Sequence, residues 1–201
     1  SSKAAKKSCS DAAFTCAVLV WGWHELAFLT GWLTGPRKDA CSAPLHGPTR
    51  FNEAVQTILW HELAIIGMGI AIAALTWGGA NQVATWTFAL LWVMRLSAKF
   101  NLFLGVRNRG EEFLPTHLLY LASYFRRRKI NALLPLSVLA GTIVAVAMIT
   151  SAIDASGAAR TGLLLVASML VLALIEHVLL VTPLPPTLLW RWALRPAAPS
   201  P

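Results

Sequence analysis

The chain has 201 residues, of which 56% are hydrophobic and only 13% are charged. Soluble domains average about 25% charged residues, so this composition excludes a disordered chain and argues against an ordinary soluble enzyme. Lysine and arginine outnumber aspartate and glutamate by 17 to 9, a formal charge of +8. In a membrane protein, loop arginines that fix the topology explain such an excess, so it predicts no nucleic-acid partner. The three cysteines form no CxxC pair and indicate neither a disulfide framework nor a zinc cluster.

Five apolar stretches are each long enough, at about 20 residues, to cross a bilayer as a helix. Glycine and proline interrupt the sequence between them, as at Gly35-Pro36 and Gly78-Gly79. The sequence therefore predicts a single all-α transmembrane domain over residues 1–201, a polytopic helical bundle. The five predicted spans cover residues 12–34, 54–77, 83–104, 132–153 and 162–181.

An odd number of spans places the two ends of the chain on opposite sides of the membrane. If the N terminus is outside, the opposite side carries eleven basic residues and the N-terminal side carries four. The positive-inside rule then predicts that the basic loops and the C terminus are cytoplasmic. The eleven are Arg37, Lys38, Arg50, Arg107, Arg109, Arg126, Arg127, Arg128, Lys129, Arg191 and Arg195, and the four are Lys3, Lys6, Lys7 and Arg160.

A cytoplasmic segment between the third and fourth spans is predicted to form an amphipathic helix over about residues 113–129. Its apolar residues recur at helical spacing, and the basic run Arg126–Lys129 follows them. Such a helix either lies at the interface, with its basic end at lipid headgroups, or packs on the other spans. The apolar stripe consists of Leu114, Leu118, Leu121 and Phe125.

The ionisable residues within the spans are predicted to lie at one depth. His24-Glu25 is in the first span, with His24 11 residues before Gly35, and His61-Glu62 is in the second, with His61 11 residues after Arg50. At about 1.5 Å per residue, both pairs are about 16 Å from the cytoplasmic edge. The cytoplasmic half of the bundle also contains Arg95, Lys99, Glu176 and His177, and Glu111, Glu112 and His117 follow just outside it.

Ionised side chains cost about 2.5–3.5 kcal/mol each at mid-bilayer, so these residues are expected to face inward and find partners. Three interpretations remain open: a network in which carboxylates neutralise Arg95 and Lys99, a site for iron or another divalent metal, and a tetrapyrrole such as haem on an axial histidine. The candidate metal ligands are His24, Glu25, His61, Glu62, Glu112, His117, Glu176 and His177. The candidate cofactor-binding residues are His24, His61, Arg95, Lys99 and His177.

The spacing of these residues differs from common metal motifs. Di-iron bundles use Glu-x-x-His, whereas here Glu and His are adjacent and about 100° apart around the helix. One of each pair could therefore bind a metal while the other orients it. HExxH, P-loop and GxSxG motifs are absent. Four tryptophans lie deeper than the aromatic belts, either as packing or as the wall of a pocket for a flat macrocycle: Trp21, Trp23, Trp60 and Trp92.

Several runs of residues resemble one family. The most specific is Met94–Val106, and the others are Thr34–Arg37, Arg50-Phe51, His61–Leu63, Glu111–Leu118, and Glu176-His177 leading to Leu189–Trp192. From about Trp21 onward the chain resembles the PuhE-type photosynthetic complex assembly protein 2 family of purple phototrophic bacteria, encoded near the reaction-centre H subunit. The resemblance implies a multi-pass protein of the bacterial inner or intracytoplasmic membrane and adds bacteriochlorophyll to the candidate cofactors. Members of that family carry further spans upstream, and this chain begins at Ser1 rather than Met, so we expect that an upstream piece is missing.

The leading hypothesis is a membrane factor for photosynthetic complex assembly or bacteriochlorophyll supply, whose buried His/Glu cluster binds a metal or tetrapyrrole. Its expected partners are membrane lipid and other membrane proteins of photosynthesis or of the bacteriochlorophyll pathway. The alternative is a metal-dependent membrane oxidoreductase of tetrapyrrole biosynthesis, or a subunit of one, which needs an open coordination position. A transporter is a third hypothesis, disfavoured because the spans contain no mid-span proline. Whether the protein catalyses any reaction stays open.

Overall fold

The computed structural model describes residues 2–42 and 47–183, with side chains from Ser8 onward. In this part of the chain, long α-helices are joined by loops and by short 3-10 segments. The helices are α1 (Ser2–Leu29), α2 (Pro48–Thr76), α3 (Val83–Leu104), α4 (Leu133–Asp154) and α5 (Gly157–Leu179), and the 3-10 segments are Glu111–Phe113 and Thr116–Tyr124.

All five helices are long and apolar enough to cross a membrane, α1 through its residues Ser8–Leu29. Large apolar side chains such as Leu19, Ile70 and Ile153 are exposed on their outer surfaces, as expected of a surface in contact with lipid. The predicted fold class, an all-α polytopic bundle, is confirmed. The sidedness stays a prediction, and two of its arginines, Arg191 and Arg195, lie outside the described residues.

The most extensive helix contact in the bundle is between α4 and α5. α4 packs along α5, and α3 contacts both α5 and α1. Met94, Ala145 and Leu170, one from each of α3, α4 and α5, form a buried apolar cluster. Gly141 of α4 lies so close to α5 that an added Cβ would be 2.7 Å from Leu174 Cδ2. In contrast, α2 packs mainly on α3 and less on α1.

The connection from α1 to α2 explains why the first helix ends earlier than predicted. α1 ends at Leu29 rather than at residue 34. The chain then crosses α2 at Gly35, where an added Cβ would lie 1.9 Å from the Gln56 carbonyl oxygen, so this approach requires glycine. The Thr34 carbonyl accepts the backbone N–H of His61 at 2.9 Å. The loop therefore fixes α2 beside the end of α1.

α2 begins earlier than the apolar stretch predicted, at Pro48 rather than residue 54. Proline suits the first turn of a helix because its missing N–H has no partner there. Arg50 in that turn is buried, and its guanidinium donates to the Tyr124 carbonyl and, at 3.0 Å, to the Phe103 carbonyl. The guanidinium carbon also lies 3.9 Å from the centre of the Phe103 ring. These contacts attach the start of α2 to the end of α3.

The predicted amphipathic helix over residues 113–129 has different bounds. Its helical part is the 3-10 segment Thr116–Tyr124. Leu118 and Leu121 are buried against Phe28 of α1, so the segment packs on the bundle. This packing corresponds to the second of the two placements that the apolar stripe allowed.

The basic run that follows is extended rather than helical. Val106 and Arg127 form an isolated parallel bridge, and the Val106 carbonyl accepts the N–H of Arg128 at 3.3 Å. Gly105, with φ +117, makes the turn out of α3 that this pairing needs. Because the pairing partner is distant in sequence, the local apolar spacing did not predict it.

Candidate functional site

One charged pair joins α2 to α3. Lys99 Nζ donates to Glu62 Oε1 at 2.6 Å, and the indole Nε1 of Trp92 donates to Glu62 Oε2 at 3.1 Å. Trp92 and Lys99 are about two helical turns apart, so they lie on the same face of α3. Each oxygen of the Glu62 carboxylate therefore has a donor, which offsets the cost of a charge at membrane depth.

A second ionic group joins α1, α3 and α5 through Arg95. Arg95 Nη2 lies 2.9 Å from Glu25 Oε2, and Nη1 lies 3.6 Å from Glu176 Oε1. Only the first distance is short enough for a hydrogen bond. The side chain of Glu176 is 51% exposed, against 18% for Glu25. Glu25 is thus the close partner of Arg95, and Glu176 is the loosely held one.

His61 is fully buried at the contact of α1 and α2. Neither of its ring nitrogens has a hydrogen-bond partner among the described residues. Its Nε2 lies 3.8 Å from Glu25 Oε1, beyond hydrogen-bonding distance, and its ring packs on Phe28 with the centres 4.7 Å apart. A buried imidazole without hydrogen bonds costs stability, so His61 stays a candidate functional group.

The other histidines of the spans, His24 and His177, are buried but engaged elsewhere. Nδ1 of His24 donates to the carbonyl one turn earlier in α1 at 2.8 Å, and its ring lies edge-on to Phe88 of α3. Nδ1 of His177 donates to the carbonyl one turn earlier in α5, which leaves Nε2 to accept the Ser97 hydroxyl at 3.0 Å. His177 therefore has no free ring nitrogen.

Two further candidates, Glu112 and His117, lie apart from the ionic groups. His117 Nε2 donates to the Leu29 carbonyl at 3.0 Å, so it caps the end of α1. Its ring also occupies the space where a Cβ on Gly31 would be, at 2.7 Å from Cδ2. Glu112 is exposed in the first 3-10 segment. Neither side chain extends the cluster within the spans.

The positions of these side chains bear on the predicted metal site. Within residues 2–42 and 47–183, no group of three His, Cys, Asp or Glu side chains is placed to hold a metal ion. His61 and Glu25 together offer two donors, and His177 has none to spare. The described side chains therefore do not fit a metal centre made of protein ligands alone, and we derive no chemistry from one.

A cavity of about 710 Å³ opens beside the ionic groups, between α2, α3, α5 and the segment that follows α3. Its volume lies within the range of about 300–1,000 Å³ that is usual for small-molecule sites. The walls are mostly apolar and include Phe51, Phe100, Phe103, Phe113, Phe125 and Trp92. The charged residues in its wall are Glu62, Arg95, Lys99, Arg109 and Glu176.

Charged residues line this cavity at two levels. Arg95 and Lys99 lie between about one and three turns inside the end of α3 at Leu104, whereas Arg109 lies in the segment after α3 and Glu176 in the last turn of α5. The cavity therefore offers polar contacts both within the helices and at its loop end, between walls that are mostly apolar.

A smaller cavity of about 180 Å³ lies between α1, α3 and α5. Glu25, Arg95 and Glu176 line it together with apolar residues such as Trp21 and Met94. Arg95 and Glu176 also line the larger cavity. These two side chains therefore form the boundary between the two spaces.

Comparison with known proteins adds a family to this geometry. A family model described as "Protein of unknown function (DUF3623)" matches residues 1–200. The chain belongs to this family. A relative from Rhodobacter capsulatus, described as an uncharacterized 30.4 kDa protein in the puhA 5' region, is 44% identical over 183 residues. The match covers 90% of this chain and 67% of the relative. No solved structure matches the chain.

Sequence reasoning missed two parts of the site. It named Trp92 only as a deep tryptophan, although Trp92, Arg95 and Lys99 recur at i, i+3 and i+7 and so share one face of α3. It also did not identify the contacts of Arg50, or the phenylalanines of the cavity wall, as parts of the site. For these contacts the chain offers no local signal, because they join the start of α2 to residues more than fifty positions later.

Proposed function

We propose that this protein is a multi-pass membrane factor that serves the assembly of photosynthetic complexes by holding a tetrapyrrole pigment between α2, α3 and α5. The observation that carries the proposal is the cavity of about 710 Å³ with aromatic walls and with the charged residues Glu62, Arg95 and Lys99 within its helices. A tetrapyrrole is a broad apolar body with polar groups, the kind of molecule that such a space suits.

The family comparison supports the photosynthetic part of the proposal. The Rhodobacter capsulatus relative is described by its position in the region 5' of puhA, a photosynthesis gene. The resemblance to the PuhE-type assembly family points the same way, and its most specific run, Met94–Val106, includes Arg95, Lys99 and Phe103 of the cavity wall. The gene position of the relative supports a role in photosynthesis, whereas the cavity supports the binding of a tetrapyrrole.

The ionic groups would hold such a pigment without histidine ligation. None of His24, His61 and His177 lines the cavity, so no described imidazole meets a ligand there. Lys99 and Arg95 are engaged by Glu62 and Glu25, which keeps them fixed in place. Aromatic side chains would stack on the pigment, and the fixed charges would orient its polar edge. The light absorption and any central metal ion would belong to the bound pigment.

The membrane location follows the same proposal. We place the protein in the inner or intracytoplasmic membrane of a phototrophic bacterium, with the loops after α1 and α3 in the cytoplasm. The exposed cations Arg127, Arg128 and Lys129 would then meet anionic headgroups of that leaflet. Membrane proteins of photosynthesis are the proposed partners.

The test is a gene replacement in a purple phototrophic bacterium that lacks its own copy. Ala54 lines the cavity, and the Ala54→Phe variant fills part of that space. Ala140 lies on the exposed face of α4 and provides a matched control, Ala140→Phe. We expect wild type and Ala140→Phe to restore the near-infrared absorption of the photosynthetic complexes, and Ala54→Phe to fail at equal protein level. Full restoration by Ala54→Phe would contradict the role of the cavity.

A further inference from the structure

Glu176 differs from the other carboxylates of the ionic groups in how it is held. Glu62 accepts hydrogen bonds from Lys99 at 2.6 Å and from Trp92 at 3.1 Å. Glu25 Oε2 lies 2.9 Å from Arg95 Nη2. The contact between Glu176 and Arg95 is 3.6 Å, and half of the Glu176 side chain is exposed. Glu176 lines both cavities.

The charges of the two ionic groups do not balance. They contain the carboxylates of Glu25, Glu62 and Glu176 and the cations of Arg95 and Lys99. Because the two cations have close partners in Glu62 and Glu25, the excess negative charge resides on Glu176. Glu176 lies in the last turn of α5, three residues before Leu179, and its contact with Arg95 is 3.6 Å. The geometry therefore favours a ligand that presents an electropositive centre to the Glu176 carboxylate.

The carboxylate of Glu176 also limits the kind of metal ion that the ligand would carry. A carboxylate oxygen suits a hard divalent ion such as Mg²⁺, whereas haem iron is usually held by an imidazole or a sulfur ligand. The imidazoles of His61 and His177 are absent from the cavity wall, and Glu176 is present in it. A single carboxylate does not make a metal site by itself, but it can complete the coordination of an ion that a macrocycle already holds.

From these observations we infer that Glu176 binds the central metal ion of the pigment, and that the cavity takes a tetrapyrrole carrying a hard divalent ion in preference to a metal-free one. This inference rests on the proposed function, since it assumes that the cavity holds a tetrapyrrole. Glu176 would supply a carboxylate oxygen to that ion, and Arg95 would orient the carboxylate.

The experiment compares two macrocycles on the full chain in mild detergent. Magnesium protoporphyrin IX and metal-free protoporphyrin IX are titrated separately, and binding is followed by the shift of the main absorption band and by quenching of tryptophan fluorescence. We expect the magnesium form to bind about tenfold more tightly than the metal-free form. The Glu176→Gln variant should lose that tenfold preference while its affinity for the metal-free form stays unchanged.

Controls separate this inference from the proposal on which it rests. Glu112→Gln, in an exposed carboxylate outside the cavity wall, should keep the preference for magnesium. If Glu176→Gln does not fold, Glu176→Asp, which keeps the charge, should show a reduced preference. Equal affinity of the wild type for both macrocycles, or an unchanged preference in Glu176→Gln, would overturn the inference and leave the pigment cavity standing. Failure of both macrocycles to bind the wild type would overturn the proposed function itself.

Discussion

Two sides of α3 handle polar groups at membrane depth in different ways. On the side that faces α4 and α5, Ser97 contacts His177 and Ser137, and none of these three residues lines either cavity. On the side that faces α2, Lys99 lies in the wall of a large cavity. On the α4 and α5 side, which we call the closed side, polar residues join helices. On the α2 side, the open side, charged residues lie beside the cavity. The residue type alone therefore does not show whether a polar residue within a span is structural or functional, because its surroundings decide this.

The largest expected effect concerns the charged pair on the open side. Lys99→Met leaves the mostly buried Glu62 carboxylate without its cation, and we expect the free energy of unfolding to fall by about 3–5 kcal/mol. The double variant Glu62→Gln with Lys99→Met removes both charges and should recover most of that loss. Unfolding by SDS in mixed micelles, followed by tryptophan fluorescence, measures both. Equal destabilisation by the single and double variants would show that the pair does not balance charge.

The next effect compares two fully buried histidines. His177→Leu removes hydrogen bonds to Ser97 and to its own helix, so we expect a loss of about 1–3 kcal/mol in the free energy of unfolding. His61→Leu removes an imidazole that has no hydrogen-bond partner among the described residues, so the same substitution should be neutral or stabilising. The two variants are measured in the same unfolding assay. A greater loss for His61→Leu would mean that His61 has a partner essential to the fold.

The smallest effect concerns the segment beside the cavity, outside the spans. Burial raises the pKa of Tyr124 above its usual value, although the hydrogen bond from Arg37 partly opposes this shift. Because the folded state holds the phenol proton more tightly than the unfolded state, the contribution of Tyr124 is complete below about pH 10 and declines as the pH rises further. Thermal unfolding between pH 8 and pH 11 should show this decline. It should be weaker in Tyr124→Phe, and an unchanged pH profile in that variant would exclude Tyr124 as its source.

The sequence predicted that ionisable residues of different spans lie at one level, but it did not predict the direction of each side chain. Counting residues from the span ends predicted that Glu25, Arg95 and Glu176 lie at a similar depth, and the structure brings them together. Neighbouring residues on a helix point about 100° apart. His24 therefore faces Phe88 while Glu25 meets Arg95. The sequence contains the spacing of each His-Glu pair, but the packing of the helices decides which member faces the ionic groups.

The ends of the spans show a similar limit. Hydropathy predicted five helices because long apolar runs are a local property of the chain. It did not predict that α2 starts at Pro48, since the burial of Arg50 depends on carbonyls of Phe103 and Tyr124. It also did not predict the loop at Gly35, whose backbone lies directly on α2. Both features depend on contacts between distant parts of the chain.

The pigment content of the purified protein tests the cavity most directly. The full chain would be produced in a phototrophic host, purified in mild detergent and examined by absorption spectroscopy together with elemental analysis. We predict tetrapyrrole bands in constant proportion to protein for wild type and Ala140→Phe, and their loss in Ala54→Phe. Colourless wild-type protein, or equal colour in all three preparations, would contradict a pigment held between α2, α3 and α5.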